Sequence, residues 1–269
     1  MIEVEVAGDL AAVHTGGGPI DPDRAVILIH GAGMDHTAWR YQTRRLASLG
    51  LNPIAPDLPG HGGSAGKPAA AIEEMGNWVG MLIDRLGIAQ VALVGHSMGS
   101  FVALETYRAR PDVVDRLVLI ATTDRMAVHP ELLDAADAGD PHAIDLMVGW
   151  MHTGGHRFGG HKTAGSWKAG TVRRLLERHL ASALAVDLHA CDGYDPLPVA
   201  PTVDAPTLII CGDADHMTPL SGARRLAELL PDARLAVMPD AGHMVINETS
   251  TLAQQRLVDF LASGPAERS

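Results

Sequence analysis

Cysteine is almost absent: Cys191 and Cys211 are the only two in 269 residues, too few for a disulfide framework and in no metal-ligand spacing. Aromatic residues make up 4% of the chain, so a core has to be assembled from Ala, Val, Leu, Ile and Met. Positive charge is short as well. Twenty-one Lys and Arg against 32 Asp and Glu give −11 with histidine neutral, and no basic run interrupts that excess. A phosphate backbone or an anionic membrane would be repelled by most faces of such a protein, so neither nucleic acid nor membrane is expected as a partner. No uncharged apolar run approaches the roughly 20 residues that cross a bilayer. The start, MIEVEVAGDL, carries acids where a signal peptide needs a basic start and an apolar core. A cytoplasmic location is expected.

What is present reads as one globular domain, 46% apolar and 20% charged. A chain of this size buries roughly three-quarters of its unfolded surface and needs no metal or disulfide staple. Short apolar runs bounded by Gly, Pro or Asp alternate with helical patterns. Candidate strands are Ile2–Val6, Leu10–His14, Ala25–His30, Pro53–Pro56, Val91–Gly95, Leu117–Thr122, Thr207–Gly212 and Leu235–Pro239. Their near-continuous apolar character suits strands covered on both faces. Candidate helices cover Thr37–Leu49, Ile72–Leu86, Met98–Arg110, Leu220–Leu230 and Ser250–Leu261. Alternation of the two predicts an α/β domain with a mostly parallel sheet. From about Asp124 to Pro196 no strand pattern occurs. Helical patterns at Pro130–Ala138, Ala143–His152 and Val172–Leu188 flank a Gly- and His-rich piece, 152–170, and predict a helical insertion over one end of the sheet.

The strongest chemical signal is Gly95-His96-Ser97-Met98-Gly99, placed after one predicted strand and at the start of a predicted helix. That context defines a nucleophile elbow, in which glycines two residues to either side make room for a strained serine. The serine then stands at a helix N-terminus, where free N–H groups favour a developing negative charge. Serine needs a base to take its proton and an acid to orient that base, in the chain order Ser, acid, His. His243, in Asp240-Ala241-Gly242-His243 past the last strand, is the candidate base. Asp215, in the loop between the strand at 207–212 and Thr218-Pro219, is the favoured acid. Asp124, past the strand at 117–122, is the alternative. Attack on a carbonyl also calls for two N–H donors to the oxyanion. Met98, next to the nucleophile, and Ala32, in the His30-Gly31-Ala32-Gly33 loop, are the candidates.

Taken together, HGAG (30–33), DLPGHGGS (57–64), GHSMG (95–99), GDADHMTP (212–219) and AGHM (241–244) resemble the α/β-hydrolase superfamily of serine hydrolases. The resemblance spans nearly the whole chain. It implies an eight-stranded, mostly parallel sheet flanked by helices, with a lid inserted after the sixth strand. The core would then be 1–123 and 197–269, and the lid 124–196. It also supports Ser97, Asp215 and His243 as a triad. Haloalkane dehalogenases and most epoxide hydrolases would carry an aspartate nucleophile, and Ser97 argues against both. Within DLPGHGGS, His61 and Ser64 are expected to bond backbone groups in a tight turn.

In the predicted lid, Met147, Trp150, Met151, Phe158 and Trp167 are expected to line an apolar acyl pocket. His152, His156 and His161 invite a metal, but the glycines between them leave no helix to fix two ligands on one face, and no Cys or acid joins them. No metal and no cofactor are expected. The expected activity is hydrolysis of small to medium carboxylic esters through an acyl-enzyme on Ser97, with a small-molecule ester as the partner. Carbon–carbon hydrolysis of a dienoic diketone, or cofactor-free perhydrolysis as in haloperoxidase-like enzymes, would use the same triad. A receptor-like binding protein with slow turnover is a third reading. Peptidase activity ranks low, because no acidic cluster in the lid would hold a free amino terminus.

Overall fold

A computed structural model describes residues 1–154 and 167–263. Eight strands form one sheet: β1 (Ile2–Val6), β2 (Asp9–His14), β3 (Ala25–Ile29), β4 (Pro53–Pro56), β5 (Val91–His96), β6 (Val114–Ile120), β7 (Thr207–Gly212) and β8 (Ala233–Met238). Their spatial order is β1-β2-β4-β3-β5-β6-β7-β8. β1 with β2, and β2 with β4, pair antiparallel, and every later pair is parallel. This is the α/β hydrolase fold.

The central strands are largely apolar on both faces because alternate side chains enter two different cores. In β3, Ala25, Ile27 and Ile29 face one core, while Val26 and Leu28 face the other. The first core is closed by α2 (Ile72–Leu86), α3 (Met98–Ala109) and α8 (Leu220–Leu229), which supply residues such as Val79, Phe101 and Leu226. The second lies under α1 (Arg40–Ser48) and α9 (Ser250–Ala262), through Leu46 and Leu257.

Between β6 and β7 the described residues carry four α-helices, a short 3-10 helix (Ala200–Thr202) and no strand: α4 (Pro130–Asp137), α5 (His142–Met151), α6 (Lys168–Glu177) and α7 (Leu184–Gly193). The helix expected over 172–188 is in fact two. The carbonyl of His179 accepts from the amides of Ser182, Ala183 and Leu184, and that turn ends one helix and starts the next. β6 also begins earlier than its apolar pattern, at Val114. The charged Asp115 and Arg116 in its first turn of pairing are buried, with Arg116 donating to the carbonyls of Phe260 and Ser263.

β3 and β5 are neighbours, but the chain leaves them in opposite directions, towards β4 on one side and β6 on the other. Sheets of this kind open a crevice at the carboxyl ends of such strands. The loops after β3, β5, β7 and β8 all emerge at that edge.

Candidate active site

β5 runs directly into α3 with Ser97 between them. Ser97 has φ 55° and ψ −121°, a left-handed conformation that a side chain rarely adopts. The turn is tight enough that a Cβ on Gly95 would collide with the carbonyl of Gly99, and one on Gly99 with the carbonyls of Ile29 and His30. Only glycine fits either position, as the elbow motif requires.

His243 Nε2 lies 2.9 Å from Ser97 Oγ, and its Nδ1 lies 2.9 Å from Asp215 Oδ2. These three side chains come from the loops after β8, β5 and β7. Thr218 reinforces the far end: its hydroxyl donates to Asp215 Oδ2 at 2.7 Å and stands 3.2 Å from His243 Nδ1. The other carboxylate oxygen accepts from the amides of Met217 and Thr218, at 2.8 and 2.9 Å. Burial penalises the Asp215 charge, yet His243 and the Thr218 bonds outweigh it and hold the carboxyl below its usual range. An ionised Asp215 orients His243 with Nδ1 protonated, which leaves Nε2 free to accept from Ser97.

Two side chains brace the backbone of the His243 loop. His96 Nε2 donates to the carbonyl of His243 at 3.1 Å, and the amide of Gly242 donates to Glu248 Oε2 at 2.6 Å. Burial pushes the Glu248 carboxyl up. Burial and the neighbouring His243 push His96 down to about 3. Neither Thr218 nor His96 was expected to take part. Thr218 reads in sequence as a helix cap and His96 as the variable position of the elbow, so no local pattern marks them.

Asp124, the alternative acid, is elsewhere. It is bound by Arg225 through two hydrogen bonds of 2.5 and 2.9 Å, and no bond joins it to His243 among the described residues. In the turn after β4, Ser64 donates to the carbonyl of Asp57 and accepts from the amide of Ala12, and His61 bonds the carbonyl of Pro59. His61 also reaches a side chain that the sequence did not bring to it, Asp187 on α7.

A cavity of about 610 Å³ opens at Ser97 and His243. Ala32 lines it, in the loop after β3, and Met98 begins α3, whose first N–H groups have no partner in a preceding turn. Met147, Trp150 and Met151 line the cavity. Met34, Met126 and Met217 join them, from loops whose sequence gave no sign of it. Trp167 departs from expectation. It is 57% exposed and lines a separate groove with Tyr41 and Arg174, at the residue before α6 begins. Phe158, His156 and His161 lie outside the described residues.

His152 is buried and bonds the carbonyl of Val148. Among the described residues, Asp35, His36 and Asp57 each bring one ligand atom within 4.8 Å of the others. Their atoms already serve the fold: Asp57 Oδ1 accepts from the amide and ring of His36, and Asp35 Oδ1 accepts from Thr37. No described helix is long and apolar enough to cross a membrane.

Comparison with known proteins agrees with this architecture. A pimeloyl-[acyl-carrier protein] methyl ester esterase of Aromatoleum aromaticum is 32% identical over 234 residues, covering 81% of this chain and 90% of that protein. The solved structure of a thermophilic esterase superposes with a TM-score of 0.82 at 27% identity, covering 97% of this chain and 96% of the other. The enol-lactonase from Burkholderia xenovorans LB400 shares the fold, with a TM-score of 0.86 at 24% identity over 97% of this chain and all (100%) of that one. Residues 26–255 match the Alpha/beta hydrolase family. The chain belongs to that family.

Proposed function

We propose that this α/β hydrolase cleaves neutral carboxylic esters of small to medium size, with Ser97 as nucleophile, His243 as base and Asp215 as its orienting acid. The observation that carries the proposal is the unbroken chain of hydrogen bonds from Asp215 through His243 to Ser97, 2.9 Å at each step, opening on an apolar cavity. His243 Nε2 takes the Ser97 proton as Oγ attacks the ester carbonyl. The amides of Ala32 and Met98 receive the oxyanion. His243 then returns the proton to the leaving alcohol, and water repeats the sequence on the acyl-enzyme. Asp215 stays ionised throughout, stabilising the imidazolium that forms.

The cavity sets the substrate class. No Asp, Glu, Lys or Arg lines it among the described residues, so no permanently charged side chain there would pair with a charged acyl chain; His129 and His216 are the titratable side chains that join His243 in the wall. Its volume, about 610 Å³, falls within the range of roughly 300–1,000 Å³ usual for small-molecule sites. Met34, Met126, Met147, Met151 and Met217 form much of the wall. Methionine is unbranched and adaptable, which suits several acyl shapes rather than one. The segment 124–196, through its described helices α4 to α7, would act as the lid over this cavity.

Perhydrolysis with the same triad fits the wall less well. A peracid released among five methionines would convert thioethers to sulfoxides. The assembled triad also weighs against a receptor-like binding protein with slow turnover. The test is a series of p-nitrophenyl esters from acetate to laurate. Hydrolysis with an optimum at intermediate chain length is expected. Inactivity on the whole series alongside cleavage of a dienoic diketone would replace the ester reading with carbon–carbon hydrolysis.

A further inference from the structure

Asp187 on α7 is fully buried, at 0% exposure, and its Oδ2 collects two hydrogen bonds from distant parts of the chain. The amide of Gly33 donates to it at 2.8 Å, and His61 Nε2 at 2.9 Å. Gly33 directly follows Ala32 in the loop after β3. His61 belongs to the turn after β4. Three segments remote in sequence therefore meet on one carboxylate oxygen beside, but outside, the Ser97–His243–Asp215 chain. Gly33 has φ +64°, and a Cβ there would stand 2.8 Å from Leu184 Cδ1 of the same helix. Both the N–H of Gly33 and the space left by its missing side chain are thus matched to α7.

The state of His61 follows from its partners. Nε2 faces the Asp187 carboxylate and Nδ1 lies 3.0 Å from the carbonyl of Pro59. Both are acceptors, and only an imidazolium donates to both. Burial disfavours that charge, but Asp187 and the Pro59 carbonyl outweigh it, so His61 titrates above the ordinary histidine value. Two other histidine rings face it. His30, at the end of β3, has its centroid 4.9 Å away, and His179, after α6, 5.5 Å away. His30 is pushed down to about 4 by burial and by the His61 charge. It bonds the carbonyl of Gly31 through Nδ1 and accepts from the amide of Leu58 at Nε2, so it is a neutral neighbour. His179 lies 3.4 Å from Asp35 Oδ2. Asp57, which also acts on His61, is bound by His36 and by the amide of Gly63.

We infer that Asp187 is a positioning residue for the oxyanion loop: paired with His61, it fixes the Ala32–Gly33 segment so that the Ala32 amide points at the developing oxyanion. The inference rests on the acyl-transfer reading of Ser97. A buried ion pair contributes little to stability compared with well-packed apolar residues, so its value here lies in holding geometry. Displacing a catalytic donor by about 1 Å lowers turnover by up to roughly a hundred-fold. Because the folded-state pKa of His61 is raised, the pair is complete below the ordinary histidine value and is lost as pH rises through the raised one. Turnover should then fall on the alkaline side.

The experiment measures kcat and KM for p-nitrophenyl butyrate from about pH 6 to about pH 10, with thermal melts and fluorophosphonate labelling, for wild type, Asp187→Asn and His61→Gln. Asp187→Asn is expected to lose roughly ten- to a hundred-fold in kcat with KM within about two-fold. His61→Gln offers Asp187 only the neutral donor that wild type reaches at alkaline pH, so its neutral-pH kcat should already be lowered several-fold, to about the wild-type alkaline level, with no further alkaline fall. A folded Asp187→Asn with wild-type kcat, or an alkaline fall unaltered in His61→Gln, would overturn the inference. Should Asp187→Asn not fold, the His61→Gln profile decides alone. Wild type that neither hydrolyses esters nor takes up the phosphonate would instead overturn the serine-hydrolase reading. An active wild type with an indifferent Asp187→Asn overturns only the role of Asp187.

Discussion

His96 donates from Nε2 to the main-chain oxygen of His243 at 3.1 Å, with the two rings 5.1 Å apart, so the residue before the proposed nucleophile holds the backbone of its base. His96 is pushed down to about 3 by burial and His243, and it acts as a neutral donor at any pH the enzyme would meet. His96→Phe leaves that carbonyl without its donor in a buried site. It is expected to lower unfolding stability by about 1–3 kcal/mol and to reduce kcat without moving the pH profile. Denaturant unfolding and a pH–rate series check both. A displaced profile would show that His96 titrates in the working range.

The two candidate acids are separated by one comparison. In the proposed triad Asp215 orients His243, so Asp215→Asn is expected to cut kcat by about 10⁴-fold through the wrong tautomer. Asp124 is held by Arg225 at the surface, so Asp124→Asn should stay within a few-fold of wild type. Steady-state kinetics on one ester is enough, and the reverse order would assign the acid to Asp124.

Asp35, Asp57 and Asp215 are all held below the usual carboxylate value. Burial opposes their charge in each case. Hydrogen bonds from His179 and Thr37, from His36 and Gly63, and from His243 and Thr218 outweigh it. Groups depressed in the folded state stabilise it above their unfolded pKa, about 3.9 for aspartate, and that contribution is lost as pH falls through their folded values. Melting temperature is expected to hold down to about pH 5 and to fall steeply below about pH 4, with a shallower fall in Asp215→Asn. A melting temperature that keeps its neutral value in strong acid would contradict the assignment.

Trp150 lines the cavity from α5 and is only partly buried, so its removal should enlarge the acyl site without emptying the core. Trp150→Ala is expected to move the preferred p-nitrophenyl ester towards longer chains. Each added methylene that finds the new space would gain about 0.8 kcal/mol. An unchanged chain-length profile would place the acyl group elsewhere.

The parts that could be read from sequence alone were those governed by local pattern. Apolar strands such as Val91–Val94 announce a sheet covered on both faces, and the glycines around Ser97 announce the elbow, because each depends only on neighbours in the chain. Other features depend on residues far away. Arg116 is charged yet sits inside β6, since the carbonyls of Phe260 and Ser263 receive its guanidinium. Residues 178–183 are ordinary helix formers, and the break there comes from the His179 carbonyl gathering three amides. The Asp187–His61 pair spans 126 positions, and neither residue carries a local mark of it. Trp167 misled for the opposite reason: its size suggested a pocket wall, while the start of α6 turns it to solvent.

The central claim is that Ser97 is an activated nucleophile, and intact-mass analysis after treatment with a fluorophosphonate tests it most directly. One adduct on the wild type and none on Ser97→Ala is the predicted result. A folded wild-type protein that takes up no phosphonate, or an adduct that persists in Ser97→Ala, would contradict it.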